Sequence, residues 1–172
     1  MRTLVLFRHA KSSWGDPGLT DHERPLTKRG TRDAARMGEF LAEAGLVPDL
    51  ILCSGAVRAR ATLALALPAF AGAVGEVVHD DTLYLAEPAQ ILKRLANVEG
   101  SRNPVMIVGH NPGLHALALA LVHAGEPRAL SQLAQNFPTA GLAVIDFEMA
   151  GWSDVSPAAG TLRLFVSPKR FS

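Results

Sequence analysis

Three short polar clusters in this 172-residue chain could do chemistry, and each directly follows an apolar run. Arg8-His9 follows residues 3–7. Ser54, with Arg58 and Arg60 just beyond it, follows residues 49–53. Gly109-His110-Asn111-Pro112 follows residues 104–108. Arginine carries rigid forked donors that match a phosphoryl group. Neutral imidazole is a competent nucleophile near neutral pH, and neighbouring positive charge keeps it neutral by lowering its pKa. A second imidazole can donate to the equatorial oxygens of a phosphoryl transition state. Helix N-termini after Ser54 and Asn111 add N–H groups with positive dipole ends. Two histidines and an arginine in one pocket would supply what phosphoryl transfer asks for, which is mainly positioning and charge neutralisation.

Such a pocket requires the three apolar runs to be neighbouring strands whose carboxyl ends share one edge. The pattern along the chain meets that requirement. Strands are expected at residues 3–7, 49–53, 76–79, 104–108, 142–147 and 161–166. Helices alternate with them. One is capped by Thr27, carries Ala34, Met37, Leu41 and Ala44 on one stripe, and stops at Gly45. A second spans residues 54–67, before Pro68. A third spans 88–97, with Pro88 in its first turn. A fourth runs from about 113 to about 124, apolar nearly all round and therefore expected to be well buried. Residues 8–24 form a long polar loop, of the kind that is often functional. Residues 151–160 join the last two strands as a hairpin. The expected fold class is α/β: one domain over residues 1–172, three-layer α/β/α, with a mostly parallel central sheet and a C-terminal antiparallel hairpin.

Composition narrows the function. Lys+Arg total 17 and Asp+Glu 16, a formal net charge of +1, so bulk charge does not support a nucleic-acid or membrane surface. Residues 4–7 run straight into Arg8 and His9, which is not an export signal, and the apolar stretch 114–122 is too short to span a bilayer. The lone Cys53 excludes an internal disulfide framework, and a cytoplasmic location is expected. His22, His79, His115 and His123 lack metal-ligand spacing, and HExxH, P-loop and strand-linked GxGxxG patterns do not occur; no metal or cofactor is expected. Arg60, two residues from Arg58, points to another helix face. Trp14 is a candidate floor for the pocket, and Trp152 a candidate cover for the sheet edge.

Taken together, Arg8-His9, then Ser54-x-x-x-Arg58-Ala-x-x-Thr62, then Gly109-His110-Asn111-Pro112 resemble the histidine phosphatase (phosphoglycerate-mutase-like) superfamily. The short chain resembles its small SixA-like phosphohistidine phosphatase branch. The resemblance implies that His9 is the nucleophile that becomes a phosphohistidine, that Arg8 and Arg58 bind the phosphoryl oxygens, and that His110 stabilises the group in transfer. Ala10 stands where the family usually has glycine. Ser13 and Asn111 are further candidates for phosphate contact, with Lys11 and Ser12 beside them. The general acid is open between Glu87, Asp80, Asp81 and none. A phosphoramidate, with its basic leaving nitrogen, asks less of such an acid than an alkyl phosphate does. The leading expectation is a metal-independent phosphatase acting on a phosphate-bearing substrate, in particular phosphohistidine on a protein partner. The alternatives are a phosphatase of small phosphate esters or sugar phosphates, and a phosphate-recognition module without turnover.

Overall fold

A computed structural model describes residues 1–172. Along the chain lie β1 (Arg2–Arg8), α1 (Lys28–Glu43), β2 (Leu50–Cys53), α2 (Val57–Ala66), β3 (Glu76–His79), α3 (Pro88–Ala96), β4 (Val105–Gly109), α4 (Gly113–Leu121), β5 (Val122–Gly125), α5 (Pro127–Gln135), β6 (Leu142–Phe147) and β7 (Gly160–Val166). The period of two in the strands decides what each face buries. Leu4 and Leu6 of β1, Leu50 and Leu52 of β2, and Val105 and Ile107 of β4 feed one core. Val5 and Phe7, Ile51 and Cys53, and Met106 and Val108 feed the other. The central strands are buried on both faces, which is why they read as continuous apolar runs.

The seven strands form one sheet in the order β3-β2-β4-β1-β6-β7-β5. β1, β2, β3 and β4 are parallel, β6 runs antiparallel to both β1 and β7, and β5 is parallel to β7. Helices α1 and α2 cover one face through Ala34, Met37, Leu41, Ala59 and Leu63. Helices α3, α4 and α5 cover the other through Ile91, Leu95, Leu114, Leu117 and Leu133. The fold is a three-layer α/β/α sandwich with a mostly parallel sheet and a C-terminal antiparallel hairpin.

Local signals set several boundaries as expected. The Thr27 side chain accepts from the Gly30 N–H at 3.0 Å and starts α1. Gly45, at φ +71°, lets the chain leave that helix in the left-handed region. Elsewhere the tertiary structure overrides the local pattern. Helix α2 starts at Val57, leaving Ser54 in the loop before it. Helix α4 ends at Leu121 instead of reaching 124, because Val122–Gly125 pairs with β7 as a strand. Nor is α4 buried all round: Leu119 is 46% exposed. The sequence pattern assigns no element to residues 126–141, yet α5 lies there. The Glu126 side chain starts it by accepting from the Arg128 and Ala129 N–H groups at 3.0 and 2.9 Å. Trp152 is fully buried in a core instead of covering the sheet edge, and its indole N–H donates to the Arg102 carbonyl at 2.6 Å.

Helices α1 and α2 touch at Gly38, where an added Cβ would lie 2.6 Å from the Ala66 Cα and carbonyl oxygen. Gly38→Ala is expected to lower the unfolding free energy by about 1–3 kcal/mol, read as an earlier urea midpoint at unchanged slope.

Candidate active site

Strand register brings the three polar clusters to one edge. Arg8 is level with Gly109, while Phe7 and Cys53 are both level with Val108. The ladder continues one residue further, through His9 N–H to the Gly109 carbonyl and Ser54 N–H to the Val108 carbonyl, each at 3.0 Å. His9 is also held from the β6 side, where the Ala140 N–H donates to its carbonyl at 3.0 Å. Arg8, His9, Arg58, His110 and Asn111 line one cleft of about 300 Å³.

The two imidazoles face each other, with ring centroids 5.2 Å apart. His9 Nδ1 lies 2.8 Å from the Ala10 carbonyl oxygen. A carbonyl only accepts, so Nδ1 carries the proton and the Nε2 lone pair is free to attack. His110 Nε2 lies 2.7 Å from Ser54 Oγ. If the Ser54 hydroxyl donates to Nε2, the proton sits on Nδ1, making that atom a donor. Burial pushes His9 down to about 4; the Ala10 bond opposes this, and the guanidiniums of Arg58, Arg8 and Arg24 reinforce it. Burial, then His9 and Arg58, pushes His110 down to about 3. Both rings are neutral at physiological pH, with desolvation a larger cause than the neighbouring charge that the sequence suggests.

Ala10 is fully buried, so the loop accommodates its methyl group. Its N–H donates to Thr62 Oγ1 at 2.9 Å, and the Thr62 hydroxyl donates to the Arg58 carbonyl at 2.7 Å. Thr62 therefore ties the His9 loop to the helix that carries Arg58. Arg8 and Asn111 both donate to the Phe137 carbonyl, at 3.0 and 2.9 Å.

Asp21 is the carboxylate of this cleft, and sequence reasoning missed it. Arg58 donates to its carbonyl oxygen at 2.6 Å and to its carboxylate at 2.9 Å. Arg24 donates to the same carboxylate at 3.1 Å, and the Tyr84 hydroxyl donates to it as well. Tyr84, Arg58 and Arg24 together hold Asp21 at about 2, so it is ionised at neutral pH. Arg24 also donates to Ser12 Oγ at 2.8 Å and stacks on the exposed Trp14, 3.4 Å from the ring centroid.

Several candidates fall elsewhere. Ser13 is displaced from the cleft by Ser12: its hydroxyl accepts from the Gly15 N–H at 3.0 Å and closes a local turn. Glu87 is exposed before α3, where its N–H donates to the Gln90 side chain. Asp80 pairs with Arg94 at 2.7 Å, and Asp81 is exposed. None of these three lines the cleft. Trp14 stands at its mouth with Leu85 and does not floor it; they are 74% and 51% exposed. His115 bonds to the Leu133 carbonyl, and Arg60 is exposed.

Four buried side-chain polar atoms lack a hydrogen-bond partner within the protein: Arg8 Nε, Arg58 Nε, His110 Nδ1 and Asn111 Oδ1. All four residues line this cleft. The two arginine Nε–H groups are donors, as is His110 Nδ1 when it carries the proton. Unpartnered buried donors cost about 1–3 kcal/mol each, and a tetrahedral oxyanion has the acceptors to satisfy them. Asn111 Oδ1 is an acceptor and suits a protonated oxygen of the bound group. The cleft's one carboxylate is already bound by two guanidiniums, so the remaining donor set suits an anion.

Residues 4–84 match the family model of the histidine phosphatase superfamily, branch 1. An uncharacterized protein of Mycobacterium tuberculosis is 36% identical over 165 residues, covering 94% of this chain and 99% of the relative. A candidate phosphohistidine phosphatase SixA from Nakamurella multipartitia superposes with a TM-score of 0.81 at 32% identity, covering 97% of this chain and 96% of the other. The chain belongs to the histidine phosphatase superfamily. Its SixA-like character is seen again in the Agrobacterium tumefaciens candidate phosphohistidine phosphatase SixA, with a TM-score of 0.80, 33% identity, and coverage of 97% and 98%. Within this histidine phosphatase, the ionised Asp21 fixes Arg58 against the buried imidazoles.

Two measurements follow. Folded His9 and His110 bind protons less readily than their unfolded forms, so stability falls as pH drops below 6.5 and levels off near 3–4. NMR titration is expected to show both rings neutral at about pH 5.5, and a His9→Gln/His110→Gln variant should lose less Tm on acidification than wild type. Asp21→Asn is expected to lower kcat/KM by about 10–100-fold through misplacement of Arg58, with Asp21→Glu recovering part of the loss.

Proposed function

We propose that this histidine phosphatase hydrolyses phosphohistidine borne on a protein partner, through a phosphoryl intermediate on His9 and without a metal. His9 Nε2 attacks phosphorus, the N–P bond to His9 forms as the bond to the leaving nitrogen breaks, and the leaving imidazole takes a proton from solvent. Water then attacks the phospho-His9, releasing inorganic phosphate and restoring the ring. Arg8, Arg58 and His110 hold the oxygens in both steps, and burial supplies the low dielectric in which such donors act most strongly. Asn111 lines the same cleft, with its Nδ2 on the Phe137 carbonyl and its Oδ1 free to accept from a protonated phosphate oxygen. The observation that carries this reading is the set of unpartnered buried nitrogens on Arg8, Arg58 and His110, which line the same cleft as His9.

The choice of substrate rests on the acid. The cleft's carboxylate sits at about 2, and Glu87, Asp80 and Asp81 lie outside it. A cleft without a protonated carboxyl favours a leaving group that solvent can protonate, and a phosphoramidate nitrogen is such a group. Protein-borne substrate is favoured by the cleft mouth, where Trp14 and Leu85 expose apolar surface of the kind a protein partner covers. The candidate SixA phosphatases of similar structure support the same substrate class. We place this activity in one domain over residues 1–172 and in the cytoplasm. No helix is long and apolar enough to cross a membrane, and the single cysteine, Cys53, is a buried thiol pushed up to about 12.

The purified protein is expected to release phosphate from an aryl phosphate in EDTA. It should form an acid-labile, alkali-stable phosphoenzyme that His9→Ala abolishes, and it should turn over phosphohistidine faster than sugar phosphates. A faster rate on sugar phosphates would replace the substrate, and phosphate binding without turnover would replace the enzyme by a recognition module.

A further inference from the structure

We propose that a basic hollow beside the catalytic cleft docks a carboxylate-rich stretch of the protein that carries the phosphoryl group. The proposal rests on the protein-borne substrate argued above. Residues 136–139, between α5 and β6, form the dividing wall. On one side, Thr139 lines the catalytic cleft. On the other, Asn136 and Pro138 line a hollow of about 630 Å³, roughly twice the cleft's 300 Å³. A smaller hollow of about 290 Å³ lies between them, sharing Asn136, Pro138, Ser167 and Lys169 with the large hollow and Thr139 with the cleft. A chain lying in the large hollow can therefore continue along the surface to His9.

The chemistry of the hollow selects an acidic polypeptide. Arg128, Lys169 and Arg170 line it, all three are exposed, and no acidic side chain lines it with them. The linking hollow adds Arg29 and one acidic side chain, Asp33, already 3.5 Å from Arg29. None of Arg128, Lys169 and Arg170 has a carboxylate within 4.0 Å, and the Arg170 guanidinium lies over the Phe40 and Phe171 rings at 5.4 and 5.9 Å, which leaves its charge unneutralised. The formal net charge of the whole chain is +1, so a hollow lined by three cations and no acidic side chain is a local excess of positive charge. Gln132 and Gln135 add amides that suit a polypeptide backbone. A single-stranded nucleic acid would need free aromatic platforms; the one ring here, Phe165, is already packed edge-on against Phe137, with centroids 5.4 Å apart.

Two phosphohistidine peptides of equal length, one with Asp/Glu flanks and one with Gln flanks, provide the test. Wild type is expected to favour the acidic peptide by about tenfold in kcat/KM, with the preference shrinking as salt is raised. Arg128→Glu/Lys169→Glu should erase the preference while leaving aryl phosphate hydrolysis unchanged, which shows that the fold and cleft are intact. An equal preference in wild type and the double variant overturns the docking site alone. Wild type that turns over aryl phosphate but neither peptide overturns the protein-substrate reading, and the docking site with it. A double variant that loses binding to an RNA oligomer while its peptide rates stay unchanged overturns the proposal in favour of a nucleic-acid surface.

Discussion

Parallel strands in register set the constraint on which the site depends. β1, β2 and β4 each return through a helix, so their carboxyl ends are forced to one edge, level to within a residue. Residues about a hundred positions apart in sequence then become neighbours without any loop having to reach. His9 inherits its position from this ladder: its N–H is bound to β4 and its carbonyl to the turn before β6. A nucleophile held by sheet hydrogen bonds on both sides has little freedom to lose when substrate arrives.

Burial then sets the chemistry. The same layers that cover the sheet exclude water from His9, Arg58 and His110, which are at most 6% exposed. Desolvation keeps the imidazoles neutral and leaves the guanidiniums short of partners. Asp21 offsets part of that cost and, by engaging two terminal nitrogens of Arg58, leaves Arg58 Nε unpartnered. The cationic cluster is incomplete by itself and is completed by an anion with several acceptors. Local instability at a functional site, offset by two well-packed cores, is a familiar division of labour in folded proteins.

Much of this was legible in the amino-acid order. Branched and aromatic runs mark the central strands because these strands are buried on both faces. Thr27 and Gly45 bracket α1 because a cap and a left-handed exit are local events. The polar clusters after three apolar runs point to the cleft because strand ends have a known place in an α/β sheet. Less visible was the loop of residues 8–24, where side-chain direction follows the path of the chain. Ser12 pairs with Leu26 in an antiparallel bridge, and that pairing turns Ser12 toward the cleft and leaves Ser13 to a local turn. Asp21, Arg24 and Tyr84 carry no sequence signal of their own; only the folded loop joins them to Arg58.

Sequence alone determined the strand and helix alternation, the α/β class, and the identity of the residues at three strand ends, since all of these follow from periodicity and local caps. Tertiary structure alone decided that α4 yields to a strand at Val122, where pairing with β7 outweighs helix propensity, and that the carboxylate of the cleft is Asp21. Both depend on partners distant in the chain, and short-range pattern carries no information about a partner that only folding brings near.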